Sequence, residues 1–352
     1  MEKNEFFNLF SQLPAAILPW FRENQRDLPW RQDQEPYHIW LSEIMLQQTR
    51  VEAVKGYYTR FLERLPTVSA LAEADDELLH KLWEGLGYYS RVRNLKKAAQ
   101  TVMERHNGLF PVEYEAVLAL PGIGEYTAGA ICSIAFNQPT PAVDGNVLRV
   151  VSRLTADDTP IDSPAYKRWV RDALAEVYPA EAGAFTQALM ELGATLCGPN
   201  WKPKCAQCPC RGFCRAAAEG TAEQFPVKSG KKPRKVEEKT VFILSCDGQY
   251  ALQKRPGTGL LAGLWQFPNC PGKLNMEEAL AQVERMGLAP REVFRQVERR
   301  HIFTHIQWEM NGIYLEVAAP EDGFQWLTAE QIRQETALPT AFRQFWEEIE
   351  NV

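Results

Sequence analysis

The chain lacks features that would place it in several other classes of protein. No apolar stretch in its 352 residues approaches the ~18 residues that a membrane-spanning helix needs. The mostly apolar segment from Phe6 to Phe21 is not a signal peptide, because Glu2 and Glu5 spoil the basic start and Pro14 and Pro19 interrupt the run. We therefore predict an amphipathic helix there and a soluble, cytoplasmic protein without a membrane partner.

A net positive charge is also missing. The formal charge is −6, which at first argues against a nucleic acid as partner. The charges are unevenly distributed, however, and Lys and Arg are concentrated at 91–97, 201–215 and 228–239. Such clusters are usually solvated surface, but three of them in one chain favour DNA binding. The length exceeds one typical domain, so we expect two.

Glycine and proline are concentrated in one turn, Leu120-Pro-Gly-Ile-Gly-Glu-Tyr126. A short helix is predicted before it and a second one from Thr127, and Gly122 and Gly124 are expected to supply left-handed backbone positions. Backbone N–H groups left unpaired at the start of a helix can bind a DNA phosphate without reading the base sequence. An ordinary turn between two helices remains the alternative for the hairpin taken alone.

Five of the eight cysteines fall between residues 197 and 214, and disulfides are not expected in an intracellular chain. Four of them have the spacing Cys197-x7-Cys205-x2-Cys208-x5-Cys214, with Cys210 extra. Thiolates this close repel one another unless a metal holds them. Zinc ribbons favour two C-x2-C pairs, whereas iron–sulfur clusters accept less symmetric spacings. The residues therefore predict a metal site and leave zinc and [4Fe-4S] open.

An acidic residue lies inside an apolar helix predicted over 36–49. Glu43 shares a face with Ile39 and Leu46, and it either leans out into solvent or is buried among apolar side chains. Burial would raise its pKa, as a general acid working near neutral pH requires. A second acid, Asp144, follows the glycine turn by twenty residues.

Three motifs accompany these acids: Leu28-Pro-Trp-Arg31, the segment from Glu43 to Arg50, and Gly85-Leu-Gly-Tyr-Tyr-Ser-Arg91. Together with the hairpin and Asp144 they resemble the adenine DNA glycosylases of the MutY type, a helix-hairpin-helix family related to endonuclease III. The resemblance covers the whole chain. It implies a mostly α, two-lobed helix-hairpin-helix glycosylase domain at 1–225 with an iron–sulfur loop at 197–214. A linker at 226–239 and an α+β, Nudix-like domain at 240–352 would follow.

The resemblance also implies roles for individual residues. Glu43 would be the general acid, Asp144 would stabilise a cationic sugar, and Tyr126 and Asn146 would support these two carboxylates. Related glycosylase/lyases carry a lysine at the position of Tyr126 to form a Schiff base, which tyrosine cannot do. A monofunctional enzyme is therefore expected.

Substrate and cofactor contacts follow from the same resemblance. Arg31 and Gln187 would contact a flipped adenine, and Gln48 and Tyr88 would lie near the partner base. Thr49, Leu86, Gly122 and Gly124 complete the expected DNA contacts. A [4Fe-4S] cluster would be held by Cys197, Cys205, Cys208 and Cys214, although the family spacing has one residue fewer in its first gap.

The C-terminal half predicts strands at 240–246, 250–255, 264–267, 292–297 and 306–317. An N-cap at Asn275 opens a helix to about Met286, and helices are predicted near 328–336 and 340–349. A Nudix hydrolase needs an Arg-Glu-x-x-Glu-Glu helix to hold magnesium, which this chain lacks, so nucleotide hydrolysis is not expected. Phe303, Thr304 and His305 stand where the family carries a loop that senses 8-oxoguanine.

The predicted partner is double-stranded DNA containing an A:8-oxoguanine or A:G mispair, bound by a monomer. Three other functions were weighed. Tyr126 and the second domain disfavour a pyrimidine-damage glycosylase/lyase. The pairing of Glu43 with Asp144 disfavours a non-enzymatic iron–sulfur protein that only binds DNA. The missing metal-binding helix disfavours a hydrolase of free nucleotides.

Overall fold

The computed structural model describes residues 3–230 and 233–350, with side chains from Phe7 onward. Contacts divide the chain into two compact units, one formed by 1–73 and 94–230 and the other by 74–93 and 231–352. The grouping of residues 74–93 with the C-terminal half was not predicted from the sequence. The described stretches contain no helix that combines the length and the apolar character needed to cross a bilayer.

The first unit is helical. The predicted helix over 6–21 is two helices, separated at Ser11 and Gln12. The helix predicted to Thr49 ends at Leu46, because Gln47 leaves the helical conformation with a ψ of 111°, and Gln48 then adopts a left-handed φ of 58°. In chain order the helices are α1 (Lys3–Phe10), α2 (Leu13–Asn24), α3 (Pro36–Leu46), α4 (Val51–Arg64), α5 (Val68–Glu73), α6 (Asp76–Leu82), α7 (Ser90–Arg105), α8 (Tyr114–Leu118), α9 (Glu125–Phe136), α10 (Gly145–Thr155), α11 (Pro164–Ala175), α12 (Ala182–Thr195) and α13 (Arg215–Glu219). Of these, α6 belongs to the second unit, and α7 crosses the division between the units after Arg93.

Two helices fix the positions of the acidic residues. Helix α3 is apolar on nearly all sides and is therefore buried almost throughout, with Trp40 packed on Phe110 at a ring distance of 5.4 Å. Helix α10 packs against α12 and α13, and its apolar face joins α1, α2 and α11 in one core. Burial of this face outweighs the modest helix propensity of its valines.

The second unit is a mixed sheet with helices on both faces. Its strands and C-terminal helices are β1 (Lys235–Cys246), β2 (Gln249–Lys254), β3 (Trp265–Gln266), β4 (Asn269–Pro271), α14 (Met276–Arg285), β5 (Pro290–Ile302), β6 (Ile306–Val317), β7 (Gln325–Thr328), α15 (Ala329–Glu335) and α16 (Thr340–Glu350). The strand order is β3-β2-β1-β6-β5, with β4 on β1 and β7 on β2; β1 and β6 are parallel and the other pairs antiparallel. The predicted elements are present, but β4 and β7 were not predicted.

Strand β1 begins at Lys235, five residues before the predicted start, and alternates between the two faces. Val241 and Ile243 belong to the core that includes α15 and α16, whereas Phe242 and Leu244 belong to the core that includes α14. Asn275 caps α14 in a capping box with Glu278, as the sequence predicted.

Residues 74–93 are held to the C-terminal half by polar contacts. The Glu84 carboxylate accepts a hydrogen bond from Leu338 N at 3.0 Å and pairs with Arg343 at 3.1 Å. The Trp265 indole donates to Glu77 Oε2 at 2.9 Å, and Lys81 Nζ donates to the carbonyl of Thr336 at 3.1 Å.

Close packing around α9 leads to a stability prediction. A Cβ added at Gly129 would lie 2.3 Å from the carbonyl oxygen of Pro141, whereas one added at Gly56 in α4 would meet no atom within 4 Å. Gly129→Ala should therefore lower the free energy of unfolding by about 1–3 kcal/mol. Gly56→Ala should raise it by about 0.5–1 kcal/mol, because alanine is the better helix residue. Urea unfolding followed by circular dichroism measures both, and equal effects would contradict the close approach at Gly129.

Candidate active site

The Glu43 carboxyl lies inside the helical unit rather than leaning into solvent. Its residue is 6% exposed, on the buried face of α3. The Tyr126 hydroxyl, at the start of α9, donates a short hydrogen bond to Glu43 Oε2. Burial raises the pKa of Glu43 to about 7, against the opposing effects of that hydrogen bond and of the Arg31 charge. A carboxyl with this pKa can hold a proton near neutral pH and release it to a base.

Asp144 is the N-cap of α10. Its Oδ1 accepts from the backbone N–H groups of Asn146 and Val147 at 2.9 and 2.8 Å, and its Oδ2 accepts from Asn146 Nδ2 at 2.6 Å. Burial raises the pKa of Asp144, while these three hydrogen bonds act to lower it and favour the anion. The helix N-terminus adds positive potential at the same place. These contacts therefore offset part of the cost of burying a negative charge on Asp144.

Both acids line one cavity of about 670 Å³, which is large enough for a nucleobase. The structure brings most of the predicted site residues of this unit to its walls. Besides Glu43 and Asp144 these are Arg31, Gln48, Thr49, Gly124, Tyr126, Asn146 and Gln187. Together they line the cavity with both hydrogen-bond donors and hydrogen-bond acceptors.

Charged residues of this cavity that the sequence analysis missed include Arg26, Arg149 and Glu191. The side chain of Glu191, on α12, is 0% exposed and forms ion pairs with Arg26 at 2.7 Å and with Arg31 at 2.8 Å. The available signal was an acidic residue within the apolar run of α12, one turn after Gln187. Its partners lie about 160 positions earlier in the chain, so the sequence could not identify them.

The glycine turn joins α8 to α9, and one of its two conformational predictions is wrong. Gly122 has the left-handed φ of 78°, but Gly124 is the N-cap of α9 with a φ of −104°, which any residue adopts. A Cβ at Gly122 would also lie 2.5 Å from Asn94 Cβ, so the close approach of α7 excludes a side chain there.

The cysteine loop follows α12 and packs on the core of the helical unit. Burial, together with the neighbouring thiols of Cys197, Cys208 and Cys205, raises the pKa of Cys214 to about 11. The thiol of Cys214 therefore lies within electrostatic reach of the other three predicted ligands. Within residues 3–230 and 233–350, however, no three acidic, histidine or cysteine side chains are arranged so that they could bind one metal ion together. Cys210 is 3% exposed and belongs to the core cluster.

Basic residues of α10 connect this loop to the cavity. Arg149 donates from Nη2 to Asn146 Oδ1 at 2.8 Å and from Nε to the carbonyl of Cys197 at 2.7 Å. Arg153 Nη1 lies 3.2 Å from Cys197 Sγ. A positive charge at that distance stabilises a thiolate, the form that binds metals. The donor set therefore fits a metal cluster chemically.

The first cysteine gap contains a turn around Trp201. A Cβ on Gly198 would lie 2.1 Å from the indole, so only glycine fits beneath the ring. Lys204 N donates to the carbonyl of Leu196 at 2.9 Å and closes the turn. Lys202 and Lys204 remain exposed on this loop.

The second unit contains a separate group of predicted residues. Phe303, Thr304 and His305 form the turn between β5 and β6, and they line a cavity of about 560 Å³ together with Tyr88. The Tyr88 hydroxyl lies 3.1 Å from Thr304 Oγ1, within hydrogen-bonding distance. His301, which the sequence analysis did not single out, lines the same cavity, and burial lowers its pKa.

The loop that carries Leu86 and Tyr88 is held from within. Arg91 was counted in a basic cluster, but it is only 8% exposed and donates from Nη2 to the carbonyls of Leu86 and Gly87 at 3.1 and 3.0 Å. Its guanidinium also lies over the Tyr88 ring at 5.6 Å. Arg91 therefore supports the loop and does not belong to an exposed basic surface. Leu86 is buried, at 7% exposure.

Comparison with protein families finds two matches. Residues 41–172 match the HhH-GPD superfamily of base excision DNA repair proteins, and residues 240–348 match the NUDIX domain. The first match covers Glu43, the glycine turn and Asp144, and the second covers the sheet of the C-terminal unit.

Individual relatives extend over most of the chain. The adenine DNA glycosylase of Homo sapiens is 36% identical over an alignment that covers 94% of this chain and 73% of that protein. The enzyme of the same name from Buchnera aphidicola subsp. Acyrthosiphon pisum is 33% identical, with 87% and 86% covered. Among solved structures, a thermostable thymine-DNA glycosylase superposes with a TM-score of 0.54 at 26% identity, covering 62% of this chain and all of that one.

Proposed function

Since the chain belongs to the adenine DNA glycosylases, enzymes of base excision repair that hydrolyse N-glycosyl bonds, we propose that it removes adenine paired with 8-oxoguanine or guanine in duplex DNA. The observation that carries this proposal is the buried Glu43 carboxyl in one cavity with the hydrogen-bonded Asp144 carboxylate. We further propose that it acts as a monomer in the cytoplasm, where its eight free cysteines would stay reduced.

The first step is extrusion of the adenine, because an enzyme cannot reach the glycosidic bond inside the stacked duplex. The cavity of about 670 Å³ would receive the base, with Arg31 and Gln187 at its walls. The Gln187 amide offers both a donor and an acceptor to the edge of adenine. Gln48 and Thr49 would contact the DNA beside the vacated position.

Bond cleavage follows by general acid catalysis. Glu43 protonates N7 of adenine, which turns a poor anionic leaving group into a neutral one. The sugar then carries positive charge, and the Asp144 carboxylate stabilises it electrostatically in a site shielded from water. Water adds to the sugar after losing a proton to Glu43. Tyr126 and Asn146 hold the two carboxyl groups through the hydrogen bonds already described.

The product is an abasic site in an intact strand. Strand cleavage by these enzymes needs an amine that forms a Schiff base with the sugar, and Tyr126 offers a hydroxyl instead. The contact that Tyr126 makes with Glu43 gives it a different task, namely to orient the acid. This argues against the glycosylase/lyase alternative.

We propose that Cys197, Cys205, Cys208 and Cys214 hold a [4Fe-4S] cluster. A cubane distributes its four thiolate ligands over four iron atoms, so they need not converge as the ligands of one zinc ion do. The cluster would supply structural stability, fixing a loop on which the exposed Lys202 and Lys204 would contact DNA phosphates. Cys210, buried in the core, is outside the proposed ligand set.

The opposite base would be read by the C-terminal unit. The Thr304 hydroxyl, flanked by Phe303 and His305 and within reach of Tyr88, is the hydrogen-bonding group that we assign to 8-oxoguanine. The Tyr88 ring would act as a wedge in the base stack, with Leu86 behind it. In the NUDIX-matching region Glu277, Glu278 and Glu284 do not supply the magnesium box, which disfavours hydrolysis of free nucleotides.

The acid role gives the central prediction. Glu43→Gln should abolish adenine release from a duplex with A opposite 8-oxoguanine while leaving duplex binding nearly unchanged, because the amide has the same shape but no proton to donate. In the wild-type protein the rate should fall as pH rises through about 7, where Glu43 loses its proton. Gel analysis of the DNA strand with and without alkali treatment measures adenine excision and strand scission separately. Strand scission without alkali, or excision by Glu43→Gln at near wild-type rate, would refute the mechanism.

The cluster assignment is tested by metal analysis. Purified protein should be brown and contain about four iron and four sulfide per chain. Cys210→Ser should keep the cluster and Cys208→Ser should lose it, as absorbance and iron content would report. Stoichiometric zinc would overturn the assignment, and loss of the cluster in Cys210→Ser would mean that the extra residue has changed which cysteines serve as ligands.

Opposite-base reading is tested on the Thr304 hydroxyl. Thr304→Ala should lower the ratio of excision rates for A opposite 8-oxoguanine and A opposite guanine by roughly tenfold, the worth of one hydrogen bond. Thr304→Ser keeps the hydroxyl and should keep the ratio. An unchanged ratio in Thr304→Ala would move base reading to Gln48, Tyr88 and their neighbours.

A further inference from the structure

Glu191 makes an ion-pair cluster at the wall of the cavity that contains Glu43. Its Oε1 accepts from Arg26 N at 3.2 Å and Arg26 Nε at 2.7 Å, and its Oε2 accepts from Arg26 Nη2 at 2.9 Å and Arg31 Nη2 at 2.8 Å. Four donors thus share one carboxylate whose side chain is fully buried. Burial alone would raise the pKa of Glu191, but the two guanidinium groups hold it below its ordinary value.

The cluster also fixes the orientation of Arg31. Besides its bond to Glu191, the guanidinium donates from Nη1 to the carbonyl of Arg26 at 3.1 Å and lies over the Phe21 ring at 5.3 Å. The Arg31 side chain is 11% exposed, so its charge acts in a setting that water screens poorly. Arg31 is also one of the charges that lower the pKa of Glu43.

From this geometry we infer that Glu191 is a positioning residue that holds Arg31 toward the base cavity and cancels part of the positive charge beside Glu43. Arg26, Arg31 and Glu191 together carry one positive charge; without Glu191 they would carry two. More positive charge favours the carboxylate form of Glu43, which cannot act as an acid. Glu191 thereby keeps the acid protonated without touching it. The inference rests on the acid role proposed for Glu43.

Three other polar or charged groups around Glu43 make their hydrogen bonds to residues other than Glu191, so a substitution at Glu191 should leave their charges unchanged. From α9 the Tyr126 hydroxyl donates to Glu43, and from α10 the Asp144 carboxylate raises its pKa. Arg149, also on α10, lines the cavity but is bonded to Asn146. The charge count at Glu191 can therefore be varied against a constant background.

A series of four proteins varies that charge. In Glu191→Gln the cluster carries two positive charges, and the pH at which adenine release falls by half should drop by about one pH unit. In Arg26→Gln the cluster is neutral and that pH should rise. In the double variant the single charge of the wild type is restored, and the midpoint should return to about 7. Glu181→Gln, which breaks the exposed pair with Arg22, is the matched control and should leave the midpoint unmoved.

A spectroscopic readout separates the inference from the proposed function. The protonated carboxyl of Glu43 gives an infrared band that is absent from Glu43→Gln, and its loss with rising pH reports the Glu43 proton whether or not adenine is released. Across the variants, the pH at which half of this band is lost should change in the same order as the pH midpoint of adenine release. Wild-type protein that releases no adenine would refute the proposed function alone. A midpoint that stays unmoved in Glu191→Gln, or is not restored in the double variant, would refute the role of Glu191.

Discussion

The guanidinium of Arg149 is the contact on which the cavity and the cysteine loop both depend. It joins the Asn146 side chain, the carbonyl of Gly193 and the carbonyl of Cys197, three groups from three segments of the chain. Each bond has a charged donor and contributes about 1.5–3 kcal/mol. Because Asn146 in turn donates to Asp144, the position of the anionic acid depends on a residue that also holds the first cysteine.

Two carboxyl groups in one cavity have different hydrogen-bonding environments. Burial raises the pKa of both, but the remaining contacts differ. Glu43 has the hydroxyl of Tyr126 and the charge of Arg31, whereas Asp144 has three N–H donors at the start of a helix. The three donors to Asp144 oppose the effect of burial on its pKa more extensively than the single hydroxyl does at Glu43. Such a difference would suit the proposed roles of proton donor and electrostatic stabiliser without any change in the type of group.

Local patterns were sufficient for much of this molecule. The apolar helix around Glu43, the glycine turn and the capping box at Asn275 each depend on residues close in sequence, and each could be predicted. The prediction of a left-handed backbone at Gly124 was wrong, because Gly124 is a helix N-cap and this position does not need a positive φ. Glu191 and the buried position of Arg91 were missed since their surroundings are set by tertiary contacts. Strand β4 was not predicted, because its three residues pair with a segment of β1 about thirty positions earlier in the chain.

The grouping of residues 74–93 with the C-terminal half has a consequence for how this sequence can change over time. A domain joined at the end of a chain usually leaves the earlier sequence free to drift. Here Glu84 is paired with Arg343, and Glu77 with Lys254, partners that lie far apart in the sequence. Loss of Arg343 would leave the nearly buried Glu84 carboxylate with one charged partner fewer, so substitutions at 84 and 343 are expected to be coupled. The more exposed pair of Glu77 and Lys254 should couple its two positions less strongly.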